Sequence, residues 1–304
     1  MRSDLFKYTP FYKEEMSIIY KAIKESDRLL IRAPPGSGKT TAAIVYAIER
    51  ALSGERTAIF LRTENEIYKA VRILKTILNK SGIKVKWSFV MGKEKLCVFK
   101  NLKVLNLSNE LYRFVCFSSG CRLRYKTGSI DLNSVEPEEA YDELCRSGFC
   151  PYYSLIDIAK DSKILIGQHN QIMQFIHTFD NLIIDEAHSS QSGIMARKMK
   201  QVLSTNSLEE AETLDSEDMD EIDEEILKEI ESYRDLKNIS FFAFTATPKS
   251  KTLEMFGIPD EYGHYHPFHT YTMKQAIGEG FILDVLKNYV TYATYFKLVK
   301  KIHS

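Results

Sequence analysis

Short apolar runs alternate with longer amphipathic stretches along much of this chain, and the alternation predicts its elements. Arg28–Arg32 and Thr57–Leu61 are dense in aliphatic and β-branched residues without helical spacing, so they read as strands. Lys39–Leu52 carries alanines and β-branched residues that pack back onto the first strand as a helix. In Glu64–Lys80 the residues Ile67, Val71, Leu74 and Leu78 recur at helical spacing. Lys84–Val90 reads as a third strand, and the rhythm resumes with Lys163–Ile166, Asn181–Ile184 and Ile239–Phe244. Strands joined by crossover helices require a parallel sheet, so the fold class is α/β. The stretch 92–152 breaks this rhythm with no long periodic element and reads as an inserted subdomain. Between the last two strands, Asp218–Tyr233 places Met219, Ile222, Ile226, Ile230 and Tyr233 on one stripe of an amphipathic surface helix with a solvated acidic face. Gly257, Pro259 and Gly263 mark a linker, and no internal repeat is present.

Candidate chemistry begins where the first strand ends. Ala33-Pro34-Pro35-Gly36-Ser37-Gly38-Lys39-Thr40 is a glycine-rich turn that opens a helix, which gathers backbone N–H groups and the positive helix end around one point and suits a β-phosphate. Gly36 and Gly38 let the backbone approach closely. Lys39 reaches the β- and γ-phosphates, and the Thr40 hydroxyl ligates Mg²⁺. Ala33 stands where the usual pattern has its first glycine and is small enough to fit. Asp185-Glu186-Ala187-His188 follows the strand Asn181–Ile184, at the sheet edge where open α/β folds bind ligands. Asp185 is expected to hold Mg²⁺, Glu186 to orient and deprotonate the attacking water, and His188 to sense the γ-phosphate. Thr245-Ala246-Thr247 ends another apolar strand, with two hydroxyls that could bridge the hydrolysis site to a moving element. The expectation is that Lys39, Thr40, Asp185 and Glu186 converge at one edge of a shared sheet on ATP and Mg²⁺.

Charge and cysteine usage narrow the class further. Lysine plus arginine and aspartate plus glutamate number 41 each in 304 residues, so net charge does not advertise a nucleic-acid partner. Local segregation does: Lys84, Lys86, Lys93, Lys95, Lys100, Lys103, Arg113, Arg122, Arg124 and Lys126 make the candidate DNA face, and 209–231 is acidic. No apolar run approaches the ~20 residues that span a bilayer, and no signal-peptide core is present, so no membrane partner and a cytoplasmic location are expected. All five cysteines lie between 97 and 150, an odd number that argues for a local metal or cluster site over disulfides.

Tyr8-Thr9-Pro10, the phosphate loop, Arg62-Thr63 with Asn65-Glu66, Leu96-Cys97 and Cys150-Pro151-Tyr152 occur in the order found in the iron–sulfur superfamily 2 helicases of the XPD and DinG type, which the chain resembles up to about residue 175. The resemblance implies a RecA-like motor domain (1–91 and 153–257) around an inserted iron–sulfur subdomain (92–152) that contacts DNA near the strand-separation point. It implies a [4Fe-4S] cluster on Cys97, Cys116, Cys121 and Cys150. Zinc is the alternative, because Cys116 with Cys121 and Cys145 with Cys150 form two evenly spaced pairs; unligated buried thiols are the third reading. Thr245–Thr247 resembles helicase motif III. From about Phe179 onward, Asp185 through Gly193, Asn238 through Gly257, Pro267-Phe268-His269 and Met273–Ile277 to Phe281–Val285 resemble the motor (R) subunit of type I restriction enzymes.

These likenesses imply an ATP-dependent DNA helicase acting on single-stranded DNA or a fork or junction. Strand polarity stays open. No Gln-x-x-Gly-Arg string follows residue 250, so 258–304 reads as a linker and incomplete start of a second motor domain, which another polypeptide could supply, and hydrolysis by the chain alone is expected to be weak. The adenine-reading glutamine of such motors is absent, with Glu14 and Glu15 in its region. The competing readings are an ATP-regulated DNA-binding module, a restriction-type translocase fragment that does not unwind, and a recombined gene product of little activity.

Overall fold

The computed structural model describes residues 3–97, 116, 121–123, 125–185, 240–248 and 250–280. Its strands in chain order are β1 (Arg28–Arg32), β2 (Thr57–Leu61), β3 (Trp87–Val90), β4 (Ile164–Gln168), β5 (Asn181–Ile184), β6 (Ser240–Thr245), β7 (Ile258–Pro259), β8 (Tyr265–His266) and β9 (His269–Thr270). Seven of them form one sheet in the spatial order β3-β4-β2-β5-β6-β1-β9, and every neighbouring pair is parallel. The β7–β8 pair is a separate antiparallel hairpin. The helices are α1 (Glu14–Lys24), α2 (Lys39–Leu52), α3 (Glu64–Ser81), α4 (Lys93–Leu96), α5 (Glu139–Arg146), α6 (Pro151–Lys160), α7 (Ile172–Phe175), α8 (Ser250–Phe256) and α9 (Met273–Gly278).

The inner strands read as uninterrupted apolar runs because both of their faces are covered. Leu29, Leu30 and Ile31 of β1, Ala58 through Phe60 of β2 and Leu182 through Ile184 of β5 are fully buried. Helix α2 turns Ala42, Ala43 and Ala47 inward, and side chains this small let its axis lie close to the sheet. Helix α3 begins on a capping box in which Thr63 and Glu66 satisfy each other's backbone N–H groups, and it ends on Gly82 at φ +71°.

Several expected boundaries move. The third strand begins only at Trp87, since Lys84 and Lys86 lie before it, and the later strands extend to Gln168 and Thr245. Helices α1 and α6 were not anticipated. Of the basic stretch, Lys84 and Lys86 precede β3 and Lys93 and Lys95 follow it, while Lys100, Lys103, Arg113 and Arg124 lie outside the described residues. In the stretch 258–304, which the sequence reads as a linker and the start of a further domain, His269–Thr270 joins the seven-stranded sheet beside β1, pairing Ile31 with His269 and Arg32 with Thr270. Tyr271 and Ala276 behind it are buried. The segment around Asn133 and Val135 is tied to β3 by Trp87 Nε1 donating to Asn133 Oδ1 at 2.9 Å and to α3 by Lys75 donating to the Val135 carbonyl at 2.7 Å. Among the described residues no helix is long and apolar enough to cross a membrane. The acidic stretch Asp218–Tyr233 lies outside the described residues.

Candidate functional site

Beyond β1 the Ala33 N–H still donates to the Thr245 carbonyl, at 2.9 Å, and holds the chain against β6 for one more residue. Ala33 is completely buried there, which accounts for a small side chain. The chain then turns through Gly36 at φ +81° and Gly38 at φ +91°, left-handed conformations that glycine adopts without penalty, and enters α2 at Lys39. The buried Lys39 amine folds back to donate to the carbonyls of Ala33 (2.8 Å) and Pro34 (3.3 Å). Ser37 Oγ is buried without a hydrogen-bond partner in the described structure. An orphaned hydroxyl inside a glycine turn at the start of a helix is chemistry that a phosphate oxygen satisfies.

Asp185 continues β5, its N–H donating to the Phe60 carbonyl at 3.0 Å. Its Oδ2 accepts a 2.7 Å hydrogen bond from Thr40 Oγ1, 145 residues away in sequence. The hydroxyl and carboxylate thus meet at the C-terminal edge of the sheet beside the start of α2, and hard oxygen donors of this kind fit Mg²⁺. Thr245 lies at the end of β6, fully buried, and its Oγ1 accepts the Thr247 N–H at 3.2 Å, so this pair borders the loop through the Ala33 contact. Glu186 and His188 lie outside the described residues.

Two groups at this edge escaped sequence reasoning. His169, just after β4, places Nε2 2.7 Å from the Asp185 main-chain oxygen. Burial pushes its pKa below the ordinary histidine value, against the pull of the Asp185 carbonyl and carboxylate. Lys13, which precedes α1, donates to the Gly36 carbonyl at 2.5 Å. Burial lowers its pKa too, against attraction from Glu279. Glu15, one of the two acids in the base-reading region, is buried and accepts from His269 Nε2 at 2.8 Å.

Cys97, Cys116 and Cys150 are buried, whereas Cys121 and Cys145 are partly exposed. Burial raises the Cys150 pKa; the N–H groups of Tyr153 and Tyr152 at the start of α6 oppose this, and the nearby Cys97 and Cys116 add to it. These three thiols therefore share one electrostatic neighbourhood. Among the described residues no three His, Cys, Asp or Glu side chains are gathered closely enough to hold a metal ion. Beside them Lys93 lies 5.6 Å from the Tyr152 ring centre and 5.1 Å from that of Tyr153. Tyr153 in turn packs 4.8 Å from Tyr125, which is exposed. Burial penalises the Lys93 charge, yet Cys116 and Tyr153 outweigh it and raise its pKa.

The family model described as "Type III restriction enzyme, res subunit" matches residues 8–250. No curated protein matches the sequence. Among solved structures, an XPD helicase superposes with a TM-score of 0.53 at 15% identity, covering 88% of this chain and 64% of that one. A truncated XPD gives 0.48 at 15% identity, covering 86% of this chain and 100% of that one. A DEAD box protein from the hyperthermophile Methanococcus jannaschii gives 0.44 at 13% identity, covering 90% of this chain and 55% of that one. At such identities the XPD match speaks for a RecA-like helicase fold alone, and this chain spans 64% of the length of that protein.

Proposed function

Because this chain belongs to the family of the type III restriction enzyme res subunit, we propose that it is the first motor lobe of an ATP-dependent nucleic-acid helicase of superfamily 2. One observation carries the reading: the Thr40 hydroxyl and the Asp185 carboxylate, far apart in sequence, meet at 2.7 Å where the glycine turn opens α2. Nucleotide-bound Mg²⁺ supplies charge neutralisation on the phosphates. The residues of the chain do the rest. The N–H groups from Gly36 to Thr40 and the orphaned Ser37 hydroxyl cradle the β-phosphate. Lys39 exchanges its bonds to the Ala33 and Pro34 carbonyls for phosphate oxygens. Thr40 and Asp185 open their mutual hydrogen bond to hold the metal, Glu186 orients and deprotonates the water, and His188 senses the γ-phosphate. Thr245 and Thr247 carry the change along β6. A basic group from a facing lobe, on the same polypeptide or a partner, completes the charge stabilisation and is worth ~10³–10⁵ in rate.

The nucleic-acid face of the proposal is Lys93 with Tyr125, Tyr152 and Tyr153. Tilted, at least partly exposed rings beside a cation offer faces on which unstacked bases can lie, each worth ~1–3 kcal/mol, and so favour DNA that is single-stranded or forked. The thiolates of Cys97, Cys116, Cys121 and Cys150 are proposed to hold a [4Fe-4S] cluster; the support is the order of sequence landmarks shared with the iron–sulfur helicases, since the described side chains are not gathered into a metal site. Zinc is the alternative donor-compatible metal, and colourless protein with stoichiometric zinc would overturn the cluster. Family membership also supports a second reading, a restriction-type motor that tracks along duplex DNA without parting its strands.

The test measures Mg²⁺-dependent ATP binding and DNA-stimulated hydrolysis in the parent chain and in Lys39→Ala, then strand displacement on a forked substrate. Affinity and stimulated turnover are expected to drop in Lys39→Ala by tenfold or more, as loss of a phosphate-binding cation dictates (~1.4 kcal/mol per decade). Equal Mg²⁺-dependent ATP affinity in the two proteins removes the nucleotide site, and with it the enzyme. Stimulated hydrolysis without strand displacement selects the translocase.

A further inference from the structure

The strand pairing of β5 with β2 ends at Ile184, one residue before the carboxylate that meets Thr40. Past that point the chain must still be aimed, because the carbonyl of Asp185 belongs to the peptide bond leading into Glu186. A ring from a third strand does this. Resting on the nucleotide-site reading above, we propose that His169 is a positioning residue for the acidic turn, its Nε2–H gripping the Asp185 carbonyl so that the Asp185 carboxylate stays presented to Thr40 and the metal.

The placement follows from the sheet order. Strand β2 lies between β4 and β5, so a side chain leaving the end of β4 has to cross β2 to reach the end of β5. Gln168, the last residue of β4, is in register with Leu61 of β2. His169 comes one residue later, beyond the paired region, and spans to Asp185 at 2.7 Å. The Phe60 carbonyl of β2 accepts the Asp185 N–H at 3.0 Å, so the same residue is held on its other side by the strand between. The imidazole therefore ties the end of β4 to the end of β5 across β2, at the residue that carries the carboxylate. Because its partner is a carbonyl, Nε2 carries the proton and acts as donor. Outer partners of this kind orient a metal ligand without touching the metal, and their removal typically weakens metal affinity ~10–100-fold.

The decisive experiment compares the affinity of the full chain for a fluorescent non-hydrolysable ATP analogue with Mg²⁺ and with chelator, in the parent and in two variants. His169→Leu keeps much of the ring volume but has no donor; His169→Gln carries an amide N–H to nearly the same point. The gain in affinity that Mg²⁺ confers is expected to shrink about tenfold in His169→Leu and to return to within a few-fold of the parent in His169→Gln. An unchanged gain in His169→Leu overturns the role, and so does a His169→Gln protein as impaired as His169→Leu, since the ring and not its donor would then matter. If the parent itself binds no nucleotide in an Mg²⁺- and Lys39-dependent way, the site reading falls and takes this role with it. A normal parent beside an unchanged His169→Leu removes the role of His169 alone.

Discussion

Gly36 and Gly38 share a left-handed backbone but not their surroundings. A methyl group on Gly36 would meet nothing within 4 Å, so Gly36→Ala carries only the backbone penalty of φ +81°, about 1–2 kcal/mol. On Gly38 the same methyl would fall on the Met16 side chain of α1, 2.8 Å from its sulfur, and Met16 is completely buried. Gly38→Ala should therefore cost roughly 1–3 kcal/mol more than Gly36→Ala, the usual penalty of overpacking. Urea unfolding of the two variants checks this, and equal losses would mean that Met16 yields without strain. The contrast also marks what the sequence could convey at this scale. The turn is legible because its chemistry is contiguous: two glycines, a lysine and a threonine in a row, after an apolar strand. Asp185 is legible for the same reason. His169 and Lys13 act only through residues brought near by folding, and no spacing along the chain announces a histidine one residue past β4 as the partner of a distant carbonyl.

At the scale of elements, spacing was informative where an element was long enough to show its period. Helices α2 and α3 and strands β1, β2 and β5 lie where the apolar pattern puts them, within a residue. Helix α1 has the pattern as well, with Met16, Ile19, Tyr20 and Ile23 buried, but Lys13 before it offers no capping side chain and its start is unmarked. Strand β9, two residues long, is too short for any period and is placed only by its pairing with Ile31 and Arg32 of β1. Helix α6 follows a stretch without periodicity and is fixed at its far end from outside. The Arg56 guanidinium, beside β2, donates to the carbonyls of Ala159, Lys160 and Ser162 and lies 4.5 Å from the Phe179 ring centre. One side chain thus caps α6 and stacks on the segment leading into β5. Arg56→Ala should cost about 2–3 kcal/mol, because bonds from a charged donor are lost and carbonyls are left without it. Arg56→Lys should recover little, since an ammonium cannot span three carbonyls and stack at once. Chemical denaturation of both variants decides it; a full rescue by lysine would reduce the role to charge.

Across the whole molecule, buried phenols link the fold to pH. Burial pushes Tyr46 of α2 up to about 12, with Arg50 opposing and Glu55 and Asp27 adding to the shift, and its hydroxyl donates to Asn181 Oδ1 at 2.9 Å. Burial together with an acceptor carboxylate raises Tyr20 of α1, paired with Glu49, and Tyr68 of α3, paired with Glu64. Burial and the neighbouring Cys145 do the same to Tyr141 of the insertion. These rings lie on four different helices, so each ionisation adds its own contribution to the pH dependence of stability. The sign follows from linkage: an acid whose folded-state pKa lies above its unfolded value keeps its proton longer in the native state, so its stabilising contribution is complete below the unfolded value and declines as pH rises. For Tyr46 the decline runs from the ordinary value of 10.0 to about 12, a shift worth roughly 2–3 kcal/mol. The protein should accordingly lose stability steadily above pH ~10, and Tyr46→Phe should flatten that loss while costing about 1 kcal/mol near neutrality through the hydrogen bond to Asn181. Urea midpoints measured between pH 8 and pH ~12 give the slope for parent and variant, and parallel curves would show that Tyr46 ionises as readily in the folded protein as in the unfolded chain.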